Sequence, residues 1–202
     1  MKRLALAALA LVTVSGCGSS RVYLNRDVTT VAVLIPFNET SASNHAALKM
    51  WTFVEQEVAS RGYRLVAHAK VGAFYDAKKY TDPAQIQEWS TEELAKEFQA
   101  DAIVRSHLVA WDANTIGIYS KVEVALTAEM RAADGTKDGA LAWSGEGKDG
   151  YSQTAAGKGI LRSVGQTMMA DPGKYAPGAA SVCFQSLPWA GWDPETPRPP
   201  AK

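Results

Sequence analysis

Cysteine and histidine are scarce: the 202 residues hold two of the first and three of the second, and none stands in a paired spacing. With no C-x-x-C pair and no His-Glu-x-x-His segment there is no ligand set for zinc, and His45, His68 and His107 stand alone. Two cysteines also make no disulfide framework. Charge of one sign is missing as well, since 21 basic and 21 acidic side chains cancel, which is not the footprint of a nucleic-acid binder. The most extended apolar run, Leu4 to Val14, is too short to cross a bilayer as a helix.

Catalytic motifs are equally thin. No serine sits in a Gly-x-Ser-x-Gly elbow. Gly157, Lys158 and Gly159 miss the phosphate-loop pattern, because Ser152 stands where its first glycine belongs and Gly159 where its Ser or Thr belongs. Gly145, Gly147 and Gly150 do spell the dinucleotide fingerprint, but the strand before them closes an antiparallel meander and no strand follows the next helix. Those glycines are read as letting the chain turn from sheet to helix. Glu92 and Glu93 are read as first-turn charges that complement a helix dipole. No catalytic residue, cofactor or metal is assigned, and the chain is read as not an enzyme.

What the chain does have begins at its start. Lys2 and Arg3 precede the apolar stretch, and Val14, Ser15, Gly16 and Cys17 follow it, the order of a secretion signal that ends in a lipobox. Cleavage between Gly16 and Cys17 makes Cys17 the lipidated N-terminus, a firmer anchor than a single acyl chain. Gly18, rather than Asp, follows the cysteine, which under the enterobacterial sorting rule favours the outer membrane. Removing Lys2 and Arg3 with the signal leaves 19 basic against 21 acidic side chains, a charge of −2. With Cys17 committed to lipid, Cys183 has no intramolecular partner in an oxidising compartment. It is either buried, the ordinary fate of a free cysteine, or intermolecular.

The body, 47% hydrophobic and 21% charged, has the composition of one globular domain. Four segments follow: signal peptide 1–16, lipidated tether 17–29, α/β domain 30–170 and proline-rich irregular tail 171–202. Val31 to Pro36 reads as a strand covered on both faces. Ala47, Trp51, Val54 and Val58 recur at helical spacing up to Gly62, a C-terminal cap, and Tyr63 to Ala67 resumes as a parallel strand. Lys70 to Trp89 is less regular. Ser90 and Glu93 form a capping box for a helix carrying Leu94 and Phe98, ended at Asp101. Ala102–Ala110, Ile118–Arg131 and Ala140–Gly145 then read as an antiparallel meander, turning at Asp134 and Gly135. In its middle strand Val122, Val124, Leu126, Ala128 and Met130 alternate with polar residues that meet water. Gln153 to Met169 is expected to close the fold as a helix. The fold class is α/β, a single mixed sheet with helices packed on it. From Asp171 onward lie seven of the nine prolines and no element, yet LPWAGW, residues 187–192, is too aromatic for a plain tail and is expected to touch its own domain, a neighbouring copy or a partner.

The lipobox at Cys17, VAVLIPFNET from Val31, YTDPAQI from Tyr80 to Ile86, LAKEFQADAIV from Leu94 to Val104 and LAWSGEG from Leu141 to Gly147 occur in one order. In that order the chain resembles bacterial lipoproteins of unknown function that include a neisserial surface antigen, over roughly Val31 to Ser163. Ala100 stands where glycine is expected. Those lipoproteins are similar to the periplasmic domain shared by the curli secretion channel, the N-terminal domain of TolB and the lipoprotein activators of peptidoglycan synthases. The resemblance implies a strand-helix-strand start, an antiparallel meander and no known catalysis. The favoured reading is an outer-membrane-anchored periplasmic lipoprotein that acts as a non-enzymatic interaction or assembly module, one form being a curli-secretion-channel-like lipoprotein. An activator of a peptidoglycan synthase is the alternative, and an enzyme or small-ligand binder with an unrecognised site is the second. Partners are the membrane, through lipid on Cys17, and other envelope lipoproteins or further copies, with Lys121, Trp189 and Trp192 as candidate contacts; nucleic acid is not expected.

Cys17→Ser is expected to leave the precursor unprocessed or to release a soluble form. Mass spectrometry of the mature wild-type N-terminus should find acyl chains on Cys17, and an unacylated N-terminus elsewhere would refute the lipobox reading.

Overall fold

The computed structural model describes residues 28–80, 82–116, 119–154 and 171–191. Strand β1 (Thr30–Val33) is followed by the two-residue β2 (Phe37–Asn38), helix α1 (Asn44–Ser60) and β3 (Arg64–Leu65). Next come α2 (His68–Ala77), a 3-10 helix (Pro83–Glu88) and α3 (Thr91–Phe98). The long strands β4 (Ala102–Ile116), β5 (Tyr119–Ala132) and β6 (Ala140–Thr154) precede a 3-10 turn (Pro172–Lys174) and helix α4 (Ala176–Phe184). They build one mixed sheet in the order β3-β1-β4-β5-β6, with β2 taking over the β4 edge beyond β1. β1 runs parallel to β3 and β4, while β4, β5 and β6 form the antiparallel meander.

Val31, Ala32 and Val33 are all buried, the mark of a strand covered on both faces. The entry to β1 is fixed by a single carboxylate. Asp101 Oδ2 accepts from Thr29 N at 3.0 Å, Thr29 Oγ1 at 2.9 Å and Thr30 N at 2.7 Å. Burial opposes the charge on Asp101, but these bonds and nearby Arg64 outweigh it and hold its pKa below the usual value. Helix α1 buries Ala46, Ala47, Met50, Trp51, Val54 and Val58, and the Trp51 indole donates to the Val33 carbonyl at 2.9 Å. Gly62, at φ +84°, follows the α1 C-cap in the left-handed region as the sequence predicts.

Strand register assigns the two faces. Val104, Ser106 and Leu108 align with Met130, Ala128 and Leu126, and these with Trp143, Gly145 and Gly147. That face carries α4, which packs on β5, β6 and α1. The opposite face presents Ile103 and Arg105 beside Arg131 and Glu129. Over β4 it is covered by the segment from α2 to α3, where Phe74 meets Trp89 and Phe98 edge-on, both at 5.2 Å, and Arg105 donates to the Trp89 carbonyl at 2.8 Å. Over β5 and β6 its side chains, among them Lys121, Thr127, Glu146 and Lys148, reach solvent.

Several expectations hold. The Ser90–Glu93 capping box forms, with Glu93 N donating to Ser90 Oγ at 3.1 Å and Ser90 N to Glu93 Oε2 at 2.8 Å. The alternation along β5 holds too, with Val122, Val124, Leu126, Ala128 and Met130 buried. Other expectations are corrected. The stretch from Lys70 to Trp89 contains most of α2 and a 3-10 helix that opens on its own capping box, Asp82 with Gln85. Helix α3 stops at Gln99, left-handed at φ 55°, rather than at Asp101, which serves β1 instead. The helix read over Gln153 to Met169 fails at its start, because Gln153 and Thr154 still belong to β6; the remainder lies outside the described residues.

The irregular tail from Asp171 is corrected most. Pro172–Lys174 and α4 are helical, and Ala176, Ala179, Ala180, Cys183, Phe184 and Leu187 are core residues. Pro177 sits in the first turn of α4, where no amide hydrogen is needed. Gly145 and Gly147 are corrected with it, since the chain does not turn there. The strand continues, and the glycines let the α4 backbone lie against it: a Cβ at Gly147 would overlap the Ala179 carbonyl and the Cys183 amide. Phe184 then stacks on Trp143, ring centroids 4.9 Å apart. Cys183 is buried and free, which decides between the two readings of that thiol.

Gly147→Ala is expected to destabilise the domain by about 1–3 kcal/mol through overpacking, read as a lower urea midpoint. Gly72→Ala, with open space at its Cβ inside α2, should instead leave the midpoint unchanged or raise it. Burial, and then the charge of Glu146, pushes the Cys183 thiol up to about 12. It should therefore resist thiol reagents at neutral pH until the chain unfolds; prompt labelling of the native protein would contradict this.

Candidate interaction surface

The uncovered face of β5 and β6 is built from residues at alternate positions, and its charges close on one another. Lys121 pairs with Glu123, two residues along the same strand, and Lys148 reaches the same carboxylate from β6. Farther along, Arg131 Nε donates to Glu129 Oε1 at 2.8 Å, a bond that raises the Arg131 pKa against the cost of burial. These pairs are half-buried rather than fully exposed, with Glu123 more covered than its two lysines. Chemically the face is solvent-accessible and balanced in sign, and its paired charges can be exchanged for those of a partner.

The aromatic candidate lies elsewhere. Trp189 is half-buried, with the Arg61 guanidinium 6.0 Å above its ring. The segment around it is tied to its own domain. Arg61 Nη1 donates to the Phe184 carbonyl at 2.6 Å, Tyr63 Oη to the Pro188 carbonyl at 3.0 Å, and Ala190 N to the Arg61 carbonyl at 2.9 Å. Burial of the Tyr63 phenol, opposed by Arg61, pushes its pKa up to about 12, so it stays a donor. Lys121 faces the start of β5 and Trp189 the turn between α1 and β3, so the two do not form one site. Gly16, Cys17 and Trp192 lie outside the described residues.

Residues that the sequence did not single out surround a small cavity where the chain passes from β1 to β2. Leu34, Ile35, Phe37, Ile86, Arg105 and Ser106 are among its lining, and about 20 Å³ is open to a water-sized occupant, room for a single water. The Ser106 hydroxyl is buried there without a hydrogen-bond partner, and burial lowers the Arg105 pKa while Glu129 opposes the shift. At the rim His107 Nδ1 lies 2.7 Å from Glu39 Oε1. Elsewhere, His68 stacks on Trp51 at 3.8 Å and places Nδ1 2.8 Å from Glu55 Oε2; burial raises the Glu55 pKa and His68 draws it back. Both histidines thus stand in two-residue pairs, and among the described residues no group of three or more His, Cys, Asp or Glu could hold a metal ion. Only tertiary folding assembles the cavity, so no local sequence signal marks it.

Comparison with known structures finds one that shares this architecture and others that are more remote. Lipoprotein GNA1162 from Neisseria meningitidis superposes with a TM-score of 0.55 at 19% identity, covering 69% of this chain and 94% of that one. The PelC dodecamer from Paraburkholderia phytofirmans is more distant, with a TM-score of 0.45 at 16% identity over 83% of this chain and 91% of that one. The LpoB C-terminal domain from Salmonella enterica gives a TM-score of 0.39 at 15% identity over 60% and 82%. No curated protein matches the chain by sequence. The family model of the GNA1162-like lipoproteins, however, matches residues 22–170, a span that takes in all six strands and α1 to α3, so the chain belongs to the GNA1162-like lipoprotein family.

Proposed function

We propose that the protein is a lipoprotein of the outer membrane whose domain stands in the periplasm and works as a non-enzymatic assembly module, joining other envelope lipoproteins or further copies of itself. One observation carries this reading: among the described residues, one face of β5 and β6 presents paired charges to solvent, whereas the β1–β2 cavity takes only a water. Flat faces recognise proteins and concave ones recognise small substrates. Membership of a lipoprotein family supports anchoring at the cell envelope. Tether length supports the choice of partner. Between Cys17 and Val28, where the described domain begins, lie ten residues, whose eleven steps reach about 36–40 Å when extended, so the domain works close to its own membrane. An activator of a synthase rooted in the opposite membrane would need a longer N-terminal linker.

In-cell photo-crosslinking from Lys121, on the polar face, or from Trp192, in the tail, should capture outer-membrane lipoproteins or copies of the chain. An inner-membrane peptidoglycan synthase as the main adduct, with its stimulation lost on deleting the domain, would replace this reading with the activator.

A further inference from the structure

The chain enters and leaves the domain at one end of the sheet. Thr29 and Thr30 join β1 where Asp101 holds them, Arg64 opens β3 opposite Thr30, and Ala133, just past β5, donates to the Asp101 carbonyl at 2.9 Å. Ala190 is bonded to Arg61, two residues before Tyr63 and β3, so Trp189 belongs to the same end. At the far end stand Asn114 and Lys121, paired across β4 and β5 next to the turn that joins them.

We propose that the Asp101 end, made of Thr29–Thr30, Arg61–Arg64, the 133–138 turn and Trp189, lies against the lipid surface, so that the end of β4 and β5 marked by Asn114 and Lys121 points away from the membrane. This orientation rests on the reading of Cys17 as lipidated. Two lengths decide it. From Cys17 to Val28 there are eleven residue steps, which span at most about 36–40 Å. From Ala102 to Ile116 there are fourteen, and at about 3.3 Å each they climb about 46 Å. A tether leaving at the start of β1 is too short to bring the far end to the bilayer, yet it lets the near end rest on the surface with slack. Its exit point is fixed, because Val28 is buried and Thr29 and Thr30 are bonded to Asp101.

Charge is not what holds this end down. Arg61, Arg64 and Lys137 are offset by Asp101, Asp134 and Asp138, so the same contact forms on neutral and on anionic lipid. Trp189 contributes an amphipathic ring at the level where such rings meet headgroups.

The test uses the full-length lipidated chain in phosphatidylcholine vesicles containing a lipid with a nitroxide on its headgroup. A fluorophore is placed on Lys137→Cys or on Asn114→Cys, both at exposed positions, while buried Cys183 stays unlabelled. Quenching at position 137 should exceed that at 114 several-fold and stay the same when anionic lipid is added. Equal quenching at both positions, as for a domain lying on its side, stronger quenching at 114, or none at either on an acylated chain would overturn the orientation alone. The N-terminal mass of the same preparation separates the two claims, since an unacylated chain would overturn the lipid anchor and the orientation together.

Discussion

Backbone must meet backbone where α4 crosses β6, and the rest of the helical face depends on that approach. Side chains at Gly145 and Gly147 would hold the helix off the strand, because their positions are already taken by the Cys183 and Ala179 backbone. With the helix seated, Phe184 stacks on Trp143, Cys183 is sealed in the core, and the carbonyl of Phe184 at the helix end is within reach of Arg61. Arg61 ends α1, so one guanidinium couples the last helix to the first. The missing side chains are thus an architectural requirement. They also explain why a glycine pattern that imitates a nucleotide fingerprint occurs inside a strand.

Much of this was legible from local pattern. Val31 to Val33 read as a buried strand because three consecutive apolar residues need cover on both sides, and β5 read as half-buried because Val122 to Met130 alternate. Ser90 and Glu93 announced α3 because a capping box is chemistry within four residues. What local pattern could not supply was the fate of 171–191. Proline there pointed to an irregular tail, although Ala176, Ala179, Ala180, Cys183 and Phe184 follow helical spacing and Pro177 falls where a helix tolerates it. That spacing was the available signal, and composition hid it. The candidate contacts were only partly legible. Lys121 was recognisable from alternation, but its pairing with Glu123, and the sharing of Glu123 with Lys148, depend on the register between β5 and β6. The role of Asp101 joins residues more than seventy positions apart, and nothing in a local window announces it.

Several charged groups of the described surface stand in small closed sets. His107 faces Glu39, His68 faces Glu55, and Arg131 faces Glu129. Catalysis usually needs a group held in a reactive state and aimed at a space where a substrate can sit. Here the strongest departures from ordinary titration belong to buried groups such as Cys183 and Tyr63, whose surroundings favour their neutral forms. Their chemistry is that of a well-sealed core.

The way β1 enters the sheet also has a mechanical meaning. The strand lies between two neighbours, β3 and β4, and its bonds to both run across its length. A pull on the N-terminal segment would act along the strand axis and load those bonds side by side in shear, with the Asp101 carboxylate sharing the strain at the point of entry. Peeling them one at a time, as a pull on an edge hairpin would do, is not the geometry here. A domain held by that segment can bear force without unravelling from its first strand.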